Sequence, residues 1–482
     1  MGKTKPKKIK DICCVGAGYV GGPTMAVIAN NCPNLRITVV DISKERIEKW
    51  NSEDLSDLPV YEKGLDKIIS ESRGKNLFFS NEVDNAIKNA DMVFISVNTP
   101  VKQSGIGAGQ MSDLKWVEAC ARKISEQAVG HTIVVEKSTL PVRTAETIKK
   151  ILFSRNNISE NNKKSFSVLS NPEFLAEGSA IHDLQYPDRV LIGGDDNDSI
   201  NALEEIYSKW VAKDKIIKTN TWSSELSKLT ANAFLAQRIS SINSISAFCE
   251  VSGADISDVS NAVGKDSRIG SKFLMAGPGF GGSCFKKDIL NLVYLCNYFG
   301  LKEVGDFWYE VIKINDWQQD RIYKIIVDKL FGNITGKKIS LLGFAFKSGT
   351  NDTRESPSIS IARKLLNEGC FLTIHDPKVK VEQINKDLDQ YKYFDNSVNV
   401  NQELFEEGCW NFTRDLRIAA KNSDAIVILT EWDEYKNIDW LEISSLMRKP
   451  NWIFDTRRVL NAKMLRKSDI NIWQLGEGFT DH

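Results

Sequence analysis

The segment Gly16-Ala17-Gly18-Tyr19-Val20-Gly21 constrains this chain more tightly than any other. A short apolar run, Asp11 to Val15, leads into it, and a helix-like stretch from Pro23 to Asn30 follows. A second apolar run, Arg36 to Val40, then ends at Asp41. Strand, glycine turn, helix, strand and acid in that order predict a βαβ unit that binds a dinucleotide. The glycines let the turn close and the backbone approach a pyrophosphate, whose charge sits at the helix N-terminus. Asp41 is placed to accept from an adenosine ribose hydroxyl. Its carboxylate repels a 2′-phosphate, which favours NAD over NADP. The glycine pattern alone is weak, and the reading rests on its flanks.

The α/β rhythm continues. Asp91 to Val97 and His131 to Glu136 read as buried parallel strands, as do Val168 to Ser170 and Val190 to Gly193. In open parallel sheets, ligands sit beyond the carboxyl ends of the strands. Ser96, Asn98, Thr99, Ser138, Thr139, Glu173 and Glu177 are site candidates on that ground, with turn or cap roles equally open to each.

From Ser223 to about Gly253 the pattern is helical and free of proline. Glu225, Lys228 and Asn232 fall three and four apart and share one face. The surrounding Leu, Ile, Phe and Ala imply burial, so these polar groups need partners, either a ligand or other side chains. A second long helical stretch runs from Lys302 to Leu330. After Gly336 the sheet rhythm restarts: strands over Lys338 to Gly343, Phe371 to His375, Ala425 to Leu429 and Trp452 to Phe454, with a helix over Pro357 to Glu368. The first turn of this second unit has only Gly343-Phe344-Ala345, which suits a nucleotide-substrate platform better than a second NAD site. Asp387 to Gly408 is polar and aperiodic and reads as an insertion loop. The fold class is α/β: two Rossmann-like doubly wound domains joined by a central helical domain with a long helix. The boundaries are 1–220, 221–332 and 333–482.

The segment Gly277-Pro278-Gly279-Phe280-Gly281-Gly282-Ser283-Cys284-Phe285-Lys286-Lys287-Asp288 carries the chemistry. Its glycines make a backbone able to wrap a ligand. Cys284 follows them directly, with cations beside it, and a nearby cation raises the thiolate fraction a nucleophile needs. Cys13, Cys14, Cys120, Cys249 and Cys296 lie in apolar patterns where burial is the default. A nucleophilic cysteine beside an NAD domain narrows the reaction. Oxidising an alcohol to an aldehyde needs no covalent step. Oxidising the aldehyde to a carboxylate does, through a thiohemiacetal and a thioester that water cleaves.

Composition removes other classes. The chain has 482 residues, 63 basic against 63 acidic side chains, so no global charge favours nucleic acid. Its length suits two or three domains. Nine cysteines without a C-x-x-C pair suggest neither disulfides nor zinc, and four scattered histidines argue against a metal centre or a Ser-His triad. The basic stretch Met1 to Lys10 leads into no apolar run long enough for a secretory signal, and Pro6 stands where a myristoylation motif wants Ser or Thr. A cytoplasmic location is expected.

With these residues in place the chain resembles the UDP-glucose/GDP-mannose dehydrogenase family, especially its animal-type members that oxidise UDP-glucose. The resemblance covers about Lys10 to Leu460 and rests on Gly16 to Gly22, Ser72 to Ser80, Phe94 to Pro100, Asn171 to Gly178, Thr221 to Leu229, Ala231 to Arg238, Phe280 to Phe285, Gly343 to Lys347 and Asp352 to Ser356. It implies NAD-dependent four-electron oxidation of UDP-glucose to UDP-glucuronate, with Cys284 as the nucleophile. Lys228 and Asn232 would stabilise oxyanion character, Asp288 would order or activate the hydrolytic water, and Glu173 and Thr139 would assist proton movement. For NAD it implies Gly16, Gly18, Tyr19, Val20, Gly21, Asp41, Arg46, Val97, Asn98, Thr99, Ser138, Thr139, Glu177, Lys287 and Arg354. For the UDP-sugar it implies Glu173, Phe174, Leu175, Glu177, Lys228, Asn232, Arg268, Phe273, Gly277, Phe280, Gly281, Phe346, Lys347 and Arg457. Arg268 would reach a neighbouring subunit's site, which requires a homo-oligomer, a dimer at least and a hexamer in animal-type members. The Lys137 to Thr144 loop resembles a segment that rearranges when UDP-xylose binds as a feedback inhibitor.

The chain departs from that pattern at Asn51 to Pro59, which is longer, at Ala276-Gly277-Pro278, which is closer to bacterial members, and at Asp387 to Gly408. Three rival readings stand: a relative acting on GDP-mannose or UDP-N-acetylmannosamine, a two-electron dehydrogenase with a structural Cys284, and a catalytically silent binding protein.

Overall fold

The structure is a computed structural model describing residues 8–139, 141–154, 164–394, 408–468 and 470–478. It divides into two compact units, Met1–Ala231 with Leu290–Tyr294, and Asn232–Ile289 with Leu295–His482.

The first unit is built on strands β1 (Asp11–Val15), β2 (Arg36–Val40), β3 (Leu77–Ser80), β4 (Met92–Ile95), β5 (His131–Glu136), β6 (Ser165–Ser170), β7 (Val190–Gly193) and β8 (Ile216–Thr219). They form one sheet in the order β3-β2-β1-β4-β5-β6-β7-β8. All pairings are parallel except β6 with β7. Apolar runs without polar alternation suit such strands because helices cover both faces. Along β1 and β4 successive residues enter opposite cores: Ile12, Cys14, Met92 and Phe94 on one side, Cys13, Val93 and Ile95 on the other. The first of these cores is stapled to the glycine turn, where the Trp50 indole donates to Ala17 O at 2.9 Å. A Cβ on Gly22 would lie 2.2 Å from the Trp50 ring.

The second unit carries β9 (Lys338–Leu342), β10 (Phe371–His375), β11 (Lys392–Tyr393), β12 (Cys409–Phe412), β13 (Ala425–Ile428), β14 (Trp452–Asp455) and β15 (Asn471–Gln474). Their order is β11-β12-β10-β9-β13-β14-β15, parallel throughout. Both sheets reverse strand order beside their first strand, β1 or β9, the doubly wound arrangement whose crevice takes ligands. Two long helices complete the chain, Thr221–Ser252 and Lys302–Lys329.

β1, β2, β5, β7 and β10 span the residues the sequence assigns them. β4 stops at Ile95 rather than Val97, which leaves Ser96 to Pro100 as a loop at the sheet's carboxyl edge. The Asp387 to Gly408 reading needs correction at its start, because Lys392 and Tyr393 pair with Cys409 and Trp410 as an edge strand. Positions 395–407 of that segment, and Leu140 of the Lys137 to Thr144 loop, lie outside the described residues. Among the described residues no helix is long and apolar enough to cross a membrane.

Candidate active site

In the first unit the glycine turn is fixed by close backbone approach. Gly16 has φ +110°, and a Cβ there would lie 2.1 Å from Ser96 O. A Cβ on Gly21 would meet Gly16 O at 2.0 Å, whereas Gly18 faces open space. Tyr19 and Val20, half-buried, lead into the Gly21–Asn31 helix. Asp41 closes the turn: its carboxylate accepts from Ala17 N at 2.9 Å, Ser43 N at 2.9 Å and Arg46 Nη1 at 3.0 Å. A backbone cradle at a helix N-terminus, with an acid at the end of β2, fits a dinucleotide.

Beyond the carboxyl ends of β4, β5 and β6 the predicted polar residues join one network. Thr99 Oγ1 donates to Thr139 O at 3.2 Å, and Ser138 Oγ donates to Val97 O at 2.7 Å. Asn98 is exposed beside them. Thr139 Oγ1 donates to Glu173 Oε1 at 3.4 Å, and Lys228 Nζ donates to Glu173 Oε2 at 3.2 Å. Two cations lie near the Phe174 ring, with Arg189 3.8 Å and Lys228 5.3 Å from its centroid. Leu175 and Glu177 are half-buried on the same segment.

Glu225, on the helix face shared with Lys228, has a structural partner. Its carboxylate accepts from Arg143 N at 2.7 Å and Ala145 N at 2.8 Å, capping the Thr144–Phe153 helix. Burial raises its pKa, and it raises that of Glu136, which is itself pushed well up by burial.

In the second unit Cys284 stands at the head of the Phe285–Tyr298 helix, with Ser283 Oγ 3.5 Å from its Sγ. A helix N-terminus favours a thiolate, while Lys286, two residues on, is paired with Glu355 at 3.1 Å. Cys284 is half-buried, whereas all eight other cysteines are buried. Burial raises the thiol pKa at each of those eight. Asn232 Nδ2 donates to Asp288 Oδ2 at 2.6 Å, and Lys287 Nζ lies 3.4 Å from Asp288 Oδ1.

The glycine loop before Cys284 is stitched in place by buried amides that sequence reasoning missed. Gly277 N donates to Asn243 Oδ1 at 2.9 Å and Gln318 Nε2 donates to Gly277 O at 2.9 Å. Asn315 accepts from Phe280 N at 2.7 Å and donates to Phe280 O at 3.2 Å. Asn315 and Gln318 interrupt the apolar pattern of Lys302–Lys329, a signal that marks them as polar but does not name their partners. Gly281 is obligatory, since a Cβ would lie 2.5 Å from Glu355 O.

Arg457 donates to Leu429 O at 2.8 Å and Phe346 O at 3.2 Å and pairs with Glu431 at 3.1 Å. Lys347 lies 5.7 Å from the Phe346 ring centroid. Arg354 is half-exposed and paired with Asp352. Arg268 is largely exposed and paired with Asp266, and Phe273, at φ +62°, is also exposed. Arg238 holds that segment by donating to Ile269 O, Gly270 O and Lys272 O.

The turn after β9 differs from the first one. Asp376, at the end of β10, occupies the place of Asp41 but is fully buried. Its carboxylate accepts from Phe344, Ala345, Lys378 and Val379 N–H groups and the Trp432 indole. With those acceptor sites used inside the protein, none is left to read a ribose.

A complete dinucleotide turn in one unit, a closed one in the other, and an accessible cysteine at a helix head define an NAD-dependent oxidoreductase. Comparison with known proteins narrows this further. Residues 10–211, 222–317 and 340–462 match the NAD binding, central and UDP binding domains of the UDP-glucose/GDP-mannose dehydrogenase family, and the chain belongs to that family. It is 55% identical over 459 residues to "UDP-glucose 6-dehydrogenase" of Bos taurus, covering 94% of this chain and 90% of that protein. It is 51% identical to "UDP-glucose 6-dehydrogenase 4" of Arabidopsis thaliana, covering 97% of each. Among solved structures it matches a UDP-glucose dehydrogenase from Pyrobaculum islandicum with TM-score 0.81 at 28% identity, over 99% of this chain and 100% of that one.

Proposed function

We propose that this chain oxidises UDP-glucose to UDP-glucuronate by two successive two-electron steps, with Cys284 as a covalent nucleophile. NAD, when bound, takes up the hydride at each oxidation. The observation that carries the covalent step is that Cys284 alone among nine cysteines escapes burial, at a helix head behind a glycine loop.

In this reading Gly16, Gly18, Tyr19, Val20, Gly21, Asp41 and Arg46 hold the NAD adenosine and pyrophosphate. Val97, Asn98, Thr99, Ser138, Glu177, Lys287 and Arg354 hold the rest of it. Thr139 and Glu173 pass on the proton of the C6 hydroxyl as the aldehyde forms. The thiolate of Cys284 adds to the aldehyde carbon, and Lys228 and Asn232 stabilise the oxyanion of the thiohemiacetal. Loss of a second hydride leaves a thioester. Asp288, oriented by Asn232, takes a proton from the attacking water, the thiolate leaves and the carboxylate is released. Phe174, Leu175, Arg268, Phe273, Gly277, Phe280, Gly281, Phe346, Lys347 and Arg457 bind the UDP-sugar. The segments 1–220, 221–332 and 333–482 divide cofactor binding, dimerisation and UDP-sugar binding among them.

The working form is a cytoplasmic homo-oligomer in which Arg268 serves a neighbouring subunit, with UDP-xylose as feedback inhibitor. Exposed Phe234, Phe248, Val251 and Phe307 on the two long helices support association. The test is the NADH formed per UDP-glucose consumed, with GDP-mannose in parallel. Two NADH with GDP-mannose inert supports the proposal. One NADH means that Cys284 does not act covalently.

A further inference from the structure

We propose that Lys137 is a positioning residue for the Glu173–Lys228 pair, a second buried cation that leaves the Lys228 charge available to the reacting oxygen. This rests on the reaction proposed above. Lys137 follows β5 directly and is buried. Its Nζ donates to Asn171 Oδ1 at 3.1 Å and to Tyr207 Oη at 3.3 Å, both neutral acceptors. Those acceptors are fixed in turn. Tyr207 Oη donates to Asn171 Oδ1 at 2.7 Å, and Asn171 Nδ2 donates to Leu191 O at 2.7 Å. The network aims a cation at one place and gives it no carboxylate of its own.

A buried ammonium with neutral partners is expensive to keep, and its balancing charge lies nearby. Glu173 favours the charged form of Lys137, Lys228 opposes it, and Cys14 of β1 favours it weakly. The Tyr207 phenol also faces it. Burial outweighs the rest and lowers the Lys137 pKa to about 8. Lys228 and Glu173 alone form a neutral pair, and a neutral pair offers little to a developing oxyanion. Adding Lys137 sets two ammonium groups against one carboxylate, so these three groups together carry net positive charge to set against a developing oxyanion.

The experiment compares Lys137→Met and Lys137→Arg with the wild-type chain, using UDP-glucose and NAD. The wild-type NADH count is established first, so failure of the proposed reaction shows there and failure of the Lys137 inference shows only in the variants. Each variant is measured for kcat, KM for both substrates, NAD affinity, thermal midpoint and the pH profile of kcat. Lys137→Met is expected to lower kcat by about 10–100-fold with NAD affinity unchanged. Both limbs of its profile move to higher pH, because loss of a cation favours protonation of its neighbours. Lys137→Arg keeps the charge and restores most of kcat and the original profile. If Lys137→Met does not fold, Lys137→Gln takes its place. Wild-type kcat and profile in the neutral variant, or equal loss in the neutral and Arg variants, overturns the inference.

Discussion

Lys228 and Glu173 meet at 3.2 Å, each side chain only 6% exposed. Such a pair is held at high cost, and losing one partner strands the other charge out of water, a penalty of about 3–5 kcal/mol. Lys228→Ala is therefore expected to lower stability measurably as well as activity. Loss of the proposed oxyanion-stabilising donor predicts a fall in kcat of about 10²–10³-fold. Steady-state kinetics with a urea unfolding curve check both, and undiminished kcat refutes the role given to Lys228.

Asp41 organises the cofactor turn through Ala17 N, Ser43 N and Arg46. Asp41→Ala leaves these donors without their acceptor and removes the group proposed to read the ribose. NAD binding should weaken by about 1.5–3 kcal/mol, the scale of a hydrogen bond to a charged group. NADP binding should weaken less or improve. Calorimetric titration of both nucleotides checks this.

Asn315 pairs with the Phe280 backbone in both directions. Asn315→Leu leaves the Phe280 amide and carbonyl unsatisfied in a buried place, costing about 1–3 kcal/mol. The loop before Cys284 then loses its register, so KM for the UDP-sugar rises while NAD affinity holds. An unfolding curve and a substrate titration check the two halves.

Burial first, and the Glu225 charge second, push the Glu136 carboxyl well above its ordinary value of 4.5. An acid with a raised folded-state pKa contributes stability that is complete below the unfolded value. That contribution is lost as pH rises through the folded value. Glu136→Gln cannot ionise, so its stability should decline less than the wild type's from pH 4.5 upward. Thermal midpoints of both proteins across that range check the sign.

Five strands were legible to the residue, because parallel strands covered on both faces are unbroken apolar runs bounded by polar turns. Lys392–Tyr393 and Cys409–Phe412 were not, since the first is a two-residue edge strand and the second, inside the sheet, is only four residues long and interrupted by Asn411. Lys228, Asn232 and Cys284 stood out as polar or reactive groups in settings that do not otherwise call for them. Lys137, Asn243 and Asn315 did not, because their roles come from partners distant in sequence: Lys137 with Tyr207, Asn243 with Gly277, Asn315 with Phe280. Helical spacing placed Glu225 beside Lys228, yet could not reveal that it caps another helix.

The most direct measurement is UDP-glucuronate formed by Cys284→Ser, with NAD affinity measured on the same preparation. The expected result is no carboxylate product with unchanged NAD binding, since the thiol is not among the residues proposed to hold NAD. Full conversion to UDP-glucuronate by that variant would contradict the covalent mechanism.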